Sequence, residues 1–355
     1  MLGLITHLND HRSTDELIAR LNTASNWLSD RSCARYIRFL LVLSLCLHCT
    51  NDTTIRSTEI IPVDPTTTLE VVNWGGSGFP VVFLAGLGHT AHVFDEFAPN
   101  LTDRYHAIGI TRRGFGASSQ LDSGYEVQTL MEDIHIVLDS LNFERVVLVG
   151  HSLGGDEMTL FARKYPDMVA ALVYIEAAYN RASSRDSLAR YTAPQSETPL
   201  PSTADSASAV AFQAYYARAN GVRMPLSEIE AMYLWSADGR FHGSVTPGWI
   251  YGRIVNSLHD PNYSNLDAPA LAIYGIDYPI TELFLDYDSR DSLTQTAMRT
   301  YHEANLRIAK YSQNYFRTNM SRAQVVAISG AGHSVYITHS SQVLEAIRTF
   351  LAEVL

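Results

Sequence analysis

The run Arg145-Val146-Val147-Leu148-Val149-Gly150-His151-Ser152-Leu153-Gly154-Gly155 constrains this chain more than any other stretch. Four aliphatic residues in a row, with no polar alternation, read as a strand buried on both faces. An apolar-periodic segment from Leu153 to about Tyr165 follows and reads as a helix. Between the two, Gly150-x-Ser152-x-Gly154 has to turn sharply, and the flanking glycines let neighbouring backbone pass close to a strained apex. The first turn of the helix then sets N–H groups and a partial positive charge beside the serine hydroxyl. Strand, turn and helix in this order make Ser152 a candidate nucleophile rather than one more serine in a βα turn.

The flanking sequence repeats the strand–helix rhythm. Strands are expected over residues 69–74, 80–85, 105–111, 171–176, 270–275 and 324–328. A helix is expected over residues 126–141, with Leu130, Ile134, Val137, Leu138 and Leu141 on one face. A C-terminal helix should turn Leu344, Ile347, Phe350 or Leu351, and Val354 inward. This alternation implies an α/β fold: a mostly parallel sheet with helices on both faces. The rhythm breaks between residues 180 and 267, a Ser/Ala/Pro-rich and then aromatic stretch that reads as a helical cap inserted over the carboxyl edge of the sheet. The expected division is therefore an extension over residues 1–67, a core over 68–179 and 268–355, and a cap over 180–267.

Within the extension, Arg31, Arg35 and Arg38 precede the apolar run Phe39-Leu40-Leu41-Val42-Leu43-Ser44-Leu45-Cys46-Leu47, which is too short to span a bilayer as a helix. Its length and basic flank match a secretory signal, although thirty-odd residues stand before it. Export or envelope association is the expectation, with any membrane contact confined to this segment. Residues 51–68 are rich in Thr, Asp and Pro and read as a linker.

Composition narrows the chemistry. A net charge of −11 argues against nucleic acid as a partner. The 3 cysteines, Cys33, Cys46 and Cys49, all precede residue 50, so the rest of the chain has no thiolate nucleophile or thiolate metal site. No tight metal-ligand motif is present, and none of the expected chemistry requires a metal or other cofactor.

Four motifs together resemble the α/β-hydrolase fold superfamily over about residues 69–355: Phe83-Leu84-Ala85-Gly86-Leu87-Gly88, Arg113-Gly114-Phe115-Gly116-Ala117-Ser118, Gly150-His151-Ser152-Leu153-Gly154-Gly155, and Gly332-His333. The resemblance implies that the Leu87 and Leu153 backbone N–H groups form an oxyanion hole, which needs two donors aimed at the developing charge. It makes His333 the general base, because a serine hydroxyl is a weak nucleophile until an imidazole takes its proton. His89, His92, His151 and His339 carry no comparable argument and are expected to be structural.

The acid is where the chain departs from the family. The family places the catalytic carboxylate three residues after the glycine that ends the strand over 270–275. Here the run is Gly275-Ile276-Asp277-Tyr278-Pro279, with a tyrosine at that position. Asp277 could serve from a shifted loop, with Asp286 and Asp288 a little downstream. The rival is Glu176, at the end of the preceding core strand, where some relatives carry the acid and where an unpaired carboxylate would be expensive to bury. Thr111 is a second departure, and the Arg112-Arg113 pair after it is expected to tie loops together rather than clamp a substrate carboxylate. The implied activity is a serine hydrolase for a small-molecule ester of a small or medium apolar acid. Amide or C–C bond hydrolysis and cofactor-free peroxidation are alternatives on the same triad, as is a ligand-binding protein without turnover.

Overall fold

The computed structural model describes residues 56–180, 194 and 197–355. The apolar run over 39–47 and its three arginines lie outside them. An antiparallel pair comes first, β1 (Ser57–Asp64) and β2 (Thr67–Gly75), then β3 (Phe79–Leu84) and β4 (Tyr105–Thr111), with two 3-10 turns between them. Helix α1 (Val127–Ser140), strand β5 (Val146–His151), helix α2 (Gly154–Lys164) and strand β6 (Val169–Ile175) follow. The insertion holds α3 (Ala209–Asn220), α4 (Leu226–Met232), the hairpin β7 (Tyr233–Trp235) and β8 (Phe241–Ser244), and α5 (Gly248–Ser257). The core resumes with β9 (Ala270–Ile276), α6 (Ile280–Leu283), α7 (Ser292–Asn319), β10 (Ala323–Ser329), α8 (Val335–Thr338) and α9 (Ser340–Val354).

Eight strands form one sheet in the order β1-β2-β4-β3-β5-β6-β9-β10. The β1–β2 and β2–β4 pairs are antiparallel and the remaining pairs are parallel. The central parallel strands β5, β6 and β9 are apolar almost without a break because both faces are covered. On one face α1, α2 and α7 bury Met131, Ile134, Phe161 and Phe316. On the other, α9 and the turns after β3 bury Ile347, Phe350, Phe94 and Phe97. Registers align Leu84 with Gly150, His151 with Ile175, Ile175 with Ile273, and Ile276 with Ser329, so the carboxyl ends of five neighbouring strands share one edge. The residues next in sequence gather there.

The described elements depart from the sequence reading at three places. Ser57–Asp64, inside the stretch read as a linker, is a strand paired with β2, so the core begins about ten residues before residue 68. Its residues are mostly exposed, apart from Ile61 and Val63, because an edge strand buries only one side; that polar composition is what resembled a linker. The described residues of the stretch read as a helical cap hold the β7–β8 hairpin beside their helices, and Phe241 stacks there on Phe212 at 4.2 Å. The 28-residue α7 has no counterpart in the sequence reading. Its inward stripe runs Met298, Ala304, Ile308, Ala309, Ser312, Gln313 and Phe316, and the two polar members blur the apolar periodicity.

Candidate active site

Ser152 follows the last residue of β5 and takes φ +50°, a left-handed conformation that is strained for a serine. Its N–H donates to Ile175 O at 3.2 Å and its carbonyl accepts from Gly155 N–H at 3.0 Å, which fixes the turn from both sides. Neighbouring backbone is close: a Cβ on Gly154 would lie 2.3 Å from Leu84 O. The loop after β3 is equally near, since a Cβ on Gly86 would lie 3.3 Å from Ser152 Cβ.

Glu176 follows β6, also at positive φ (+48°), and is 4% exposed. Its Oε1 accepts the Gly275 N–H, and its Oε2 accepts the Tyr179 hydroxyl and faces His333 Nδ1 at 3.5 Å. His333 stands beyond the Gly330-Ala331-Gly332 loop after β10, with its side chain 57% exposed. Ser152, Glu176 and His333 line one open cavity of about 880 Å³. Asp277 is also at positive φ (+52°) at the end of β9, but it is exposed and makes no hydrogen bond or ion pair with a described residue. Of the two candidate acids, the fold brings Glu176 to the imidazole and leaves Asp277 outside.

Several supporting residues are not apparent from the sequence. His151, fully enclosed beneath the turn, donates from Nε2 to the His333 carbonyl at 2.9 Å. A carbonyl only accepts, so Nε2 carries the proton. Burial holds this imidazole well below the usual histidine range, so it stays neutral. Glu282, on α6, accepts the Gly332 N–H at 2.9 Å. The connection after β9 thus does send a carboxylate to the histidine loop, but to its backbone rather than its ring. Tyr278 lines the cavity, its hydroxyl pushed up to about 12 by burial and the nearby Glu176 charge.

The loops bearing Leu87 and Leu153 meet in a small apolar cluster, where buried Leu153 packs with Phe115, Leu130, Ile250 and Ile254, and Leu87 lies against it. Neither Leu87 N–H nor Leu153 N–H donates to a described acceptor. The insertion contributes Ile250 and Ile254 here, and through buried Glu228 it accepts from His89 Nδ1 at 3.0 Å and Thr90 N–H at 3.1 Å. Val255 and Leu258 from the insertion, with Leu283 and Ile308 from the connection after β9, form the apolar wall of the cavity. Arg113 makes a fork to Asp133 with both contacts at 2.6 Å, and neither it nor Arg112 lines the cavity. The expectation that this pair ties loops together matches that placement.

A family model for the alpha/beta hydrolase fold matches residues 80–220, the segment that carries β3, β5 and the Ser152 turn. The fold is that of the α/β hydrolases. This α/β-hydrolase-fold chain is 36% identical over 101 residues to the 2-(acetamidomethylene)succinate hydrolase of Mesorhizobium japonicum, a match covering 28% of this chain and 36% of that protein. It spans only about a third of that relative's length. Among solved structures, E-2-(acetamidomethylene)succinate hydrolase superposes with a TM-score of 0.60 at 23% identity, over 84% of this chain and 99% of that one. A bromoperoxidase from Bacillus anthracis superposes with a TM-score of 0.52 at 22% identity, over 83% and 100% respectively. At these identities the superpositions speak for the fold.

Proposed function

We propose that the chain is a serine hydrolase that cleaves carboxylic esters of small to medium apolar acids. The observation that carries the reading is the convergence of Ser152, His333 and Glu176 on one cavity, with Glu176 facing His333 Nδ1 at 3.5 Å. Ser152 Oγ attacks the ester carbonyl and its proton passes to His333 Nε2. Glu176 holds the imidazole through Nδ1–H and stabilises the imidazolium. The oxyanion of the tetrahedral intermediate takes the N–H groups of Leu87 and Leu153. Collapse expels the alcohol, which receives the proton from His333. Water attacks the acyl-enzyme by the same route and releases the acid. The insertion acts as a cap whose apolar residues select the acyl group.

The cavity chemistry supports an uncharged acyl chain. Its lining includes Val255, Leu258, Leu283 and Ile308, and no Arg or Lys is among the described residues that line it. Among these described residues a substrate carboxylate would find no cationic fork. Amide cleavage is the second reading, favoured by the relative whose name specifies an acetamido group, but the described residues that line this cavity include no Arg or Lys to pair with the carboxylates of a succinate.

The deciding experiment is hydrolysis of p-nitrophenyl esters of increasing acyl length by wild type, Ser152→Ala, His333→Ala, Glu176→Gln and Asp277→Asn. The reading requires turnover that vanishes in the serine and histidine variants. Equal inertness of wild type and Ser152→Ala on every ester overturns it and moves the amide substrates forward.

A further inference from the structure

We propose that Arg112 is a positioning residue for the oxyanion-binding loop: its guanidinium, held by Glu157, fixes the direction of the Leu87 N–H. This rests on the reading of Ser152 as nucleophile and of the Leu87 and Leu153 amides as the oxyanion donors.

Arg112 follows β4 directly and is 6% exposed. Its Nη1 donates to Gly86 O at 2.7 Å, and its Nη2 donates to the Ala85 carbonyl. Gly86 C=O and Leu87 N–H belong to the same planar trans peptide unit, so fixing the carbonyl fixes the N–H in the opposite direction. A charge-assisted bond to that carbonyl also polarises the amide and strengthens its N–H as a donor.

The guanidinium is itself held. Its Nε lies 2.9 Å from Glu157 Oε1 and its Nη2 3.0 Å from Glu157 Oε2, the planar fork that arginine makes and lysine does not. Glu157, 2% exposed, lies in the first turn of α2, and its own N–H donates to Leu153 O at 3.3 Å. A continuous path therefore runs from Leu153 through Glu157 and Arg112 to the Gly86–Leu87 peptide. One buried ion pair braces the two proposed donor segments against each other. Stability alone gives this arrangement little purpose, because replacing a buried ion pair with apolar residues is often neutral or stabilising. The two carbonyl contacts next to the nucleophile turn are what a purely structural pair would not need.

Arg112→Lys keeps the charge, but a single ammonium does not reproduce the fork that spans both carbonyls and Glu157. On the best p-nitrophenyl ester, kcat of this variant is expected to fall roughly 10- to 100-fold. KM should stay within about threefold, since the interaction is made only in the transition state. The inhibition constant of a trifluoromethyl ketone with the same acyl chain, which forms a tetrahedral adduct on Ser152, should rise by the same factor as kcat falls. Glu157→Gln keeps one acceptor oxygen and should show a smaller loss in the same two quantities. Wild-type kcat and inhibition constant in Arg112→Lys overturn the proposal, as does a loss carried by KM alone. If Arg112→Lys does not fold, the same outcomes in Glu157→Gln decide it. A wild-type chain that hydrolyses no ester and takes no fluorophosphonate label overturns the nucleophile reading, and this proposal falls with it.

Discussion

Glu176 Oε2 faces His333 Nδ1 at 3.5 Å, and this carboxylate comes from the end of β6 rather than from the loop after β9. The β9 end takes part all the same, since its Gly275 N–H donates to the other oxygen of Glu176. Tyr179 OH donates to Oε2 as well, so the carboxylate is oriented by two donors before the imidazole meets it.

That arrangement separates the two candidate acids by kinetics. Glu176→Gln keeps the shape but presents an amide to His333, and kcat should fall by about 10³- to 10⁴-fold. Asp277→Asn should leave kcat within about twofold, because exposed surface substitutions seldom perturb a site. The reverse order, measured on one p-nitrophenyl ester, would reassign the acid.

Gly154 tests how closely the turn that carries Ser152 is packed. A Cβ there meets Leu84 O at 2.3 Å and Leu84 C at 2.9 Å, both backbone atoms of a central strand. Gly154→Ala should cost about 1–3 kcal/mol or more through overpacking. The urea midpoint should drop, and the rate of fluorophosphonate labelling should drop with it. An unchanged midpoint would mean that the turn has slack the contact distances deny.

Glu228 ties the insertion to the loop after β3. It is fully buried and accepts from Thr90 N–H, the Thr90 hydroxyl and His89 Nδ1. Glu228→Ala would strand the donors of Thr90, itself 1% exposed, and leave a cavity. The expected loss is about 2–4 kcal/mol, read as a lower Tm. Wild-type stability in this variant would show that the contact contributes nothing.

Two histidines set opposite limbs of the pH–stability profile. Burial opposes a charge on His92, yet its bonds to Asp95 at 3.2 Å and Glu70 at 3.0 Å outweigh this and push its pKa up to about 9. Arg56 also reaches this cluster, 2.8 Å from Asp95, and contacts His92. A raised folded-state pKa gives stability that is complete below the unfolded value near 6.5 and is lost as pH rises toward 9, on the order of 3 kcal/mol. His151 has the opposite sign. Its depressed pKa gives stability that is complete above 6.5 and is lost as pH falls below it. Urea midpoints between pH 5 and 9.5 should flatten on the alkaline side in His92→Gln and on the acid side in His151→Gln. Unchanged limbs in both variants would assign the profile to other groups.

The core of this fold was legible because its signals are local. The strand–turn–helix at Ser152 announces itself in eleven consecutive residues, and the helix with Leu130, Ile134, Val137 and Leu138 buried has the expected period. Elements that depend on partners were not. β1 is polar because it is an edge strand, and α7 buries Ser312 and Gln313 in its inward stripe, so neither carries the apolar pattern of its kind.

The sequence by itself determined that a serine stands at the apex of a strained βα turn, with a histidine after the last strand, because φ/ψ demands and hydrophobic period are written in neighbouring residues. It left Glu176 and Asp277 both as candidate acids, with Glu176 favoured. Only the tertiary structure decided which of them faces His333, since the register of β6 against β9 sets which strand end reaches the imidazole. It also decided that Arg112, Glu157 and Gly86 meet. Contacts between residues 26, 27 and 45 apart in the chain follow from how the sheet closes around its core, not from any local pattern.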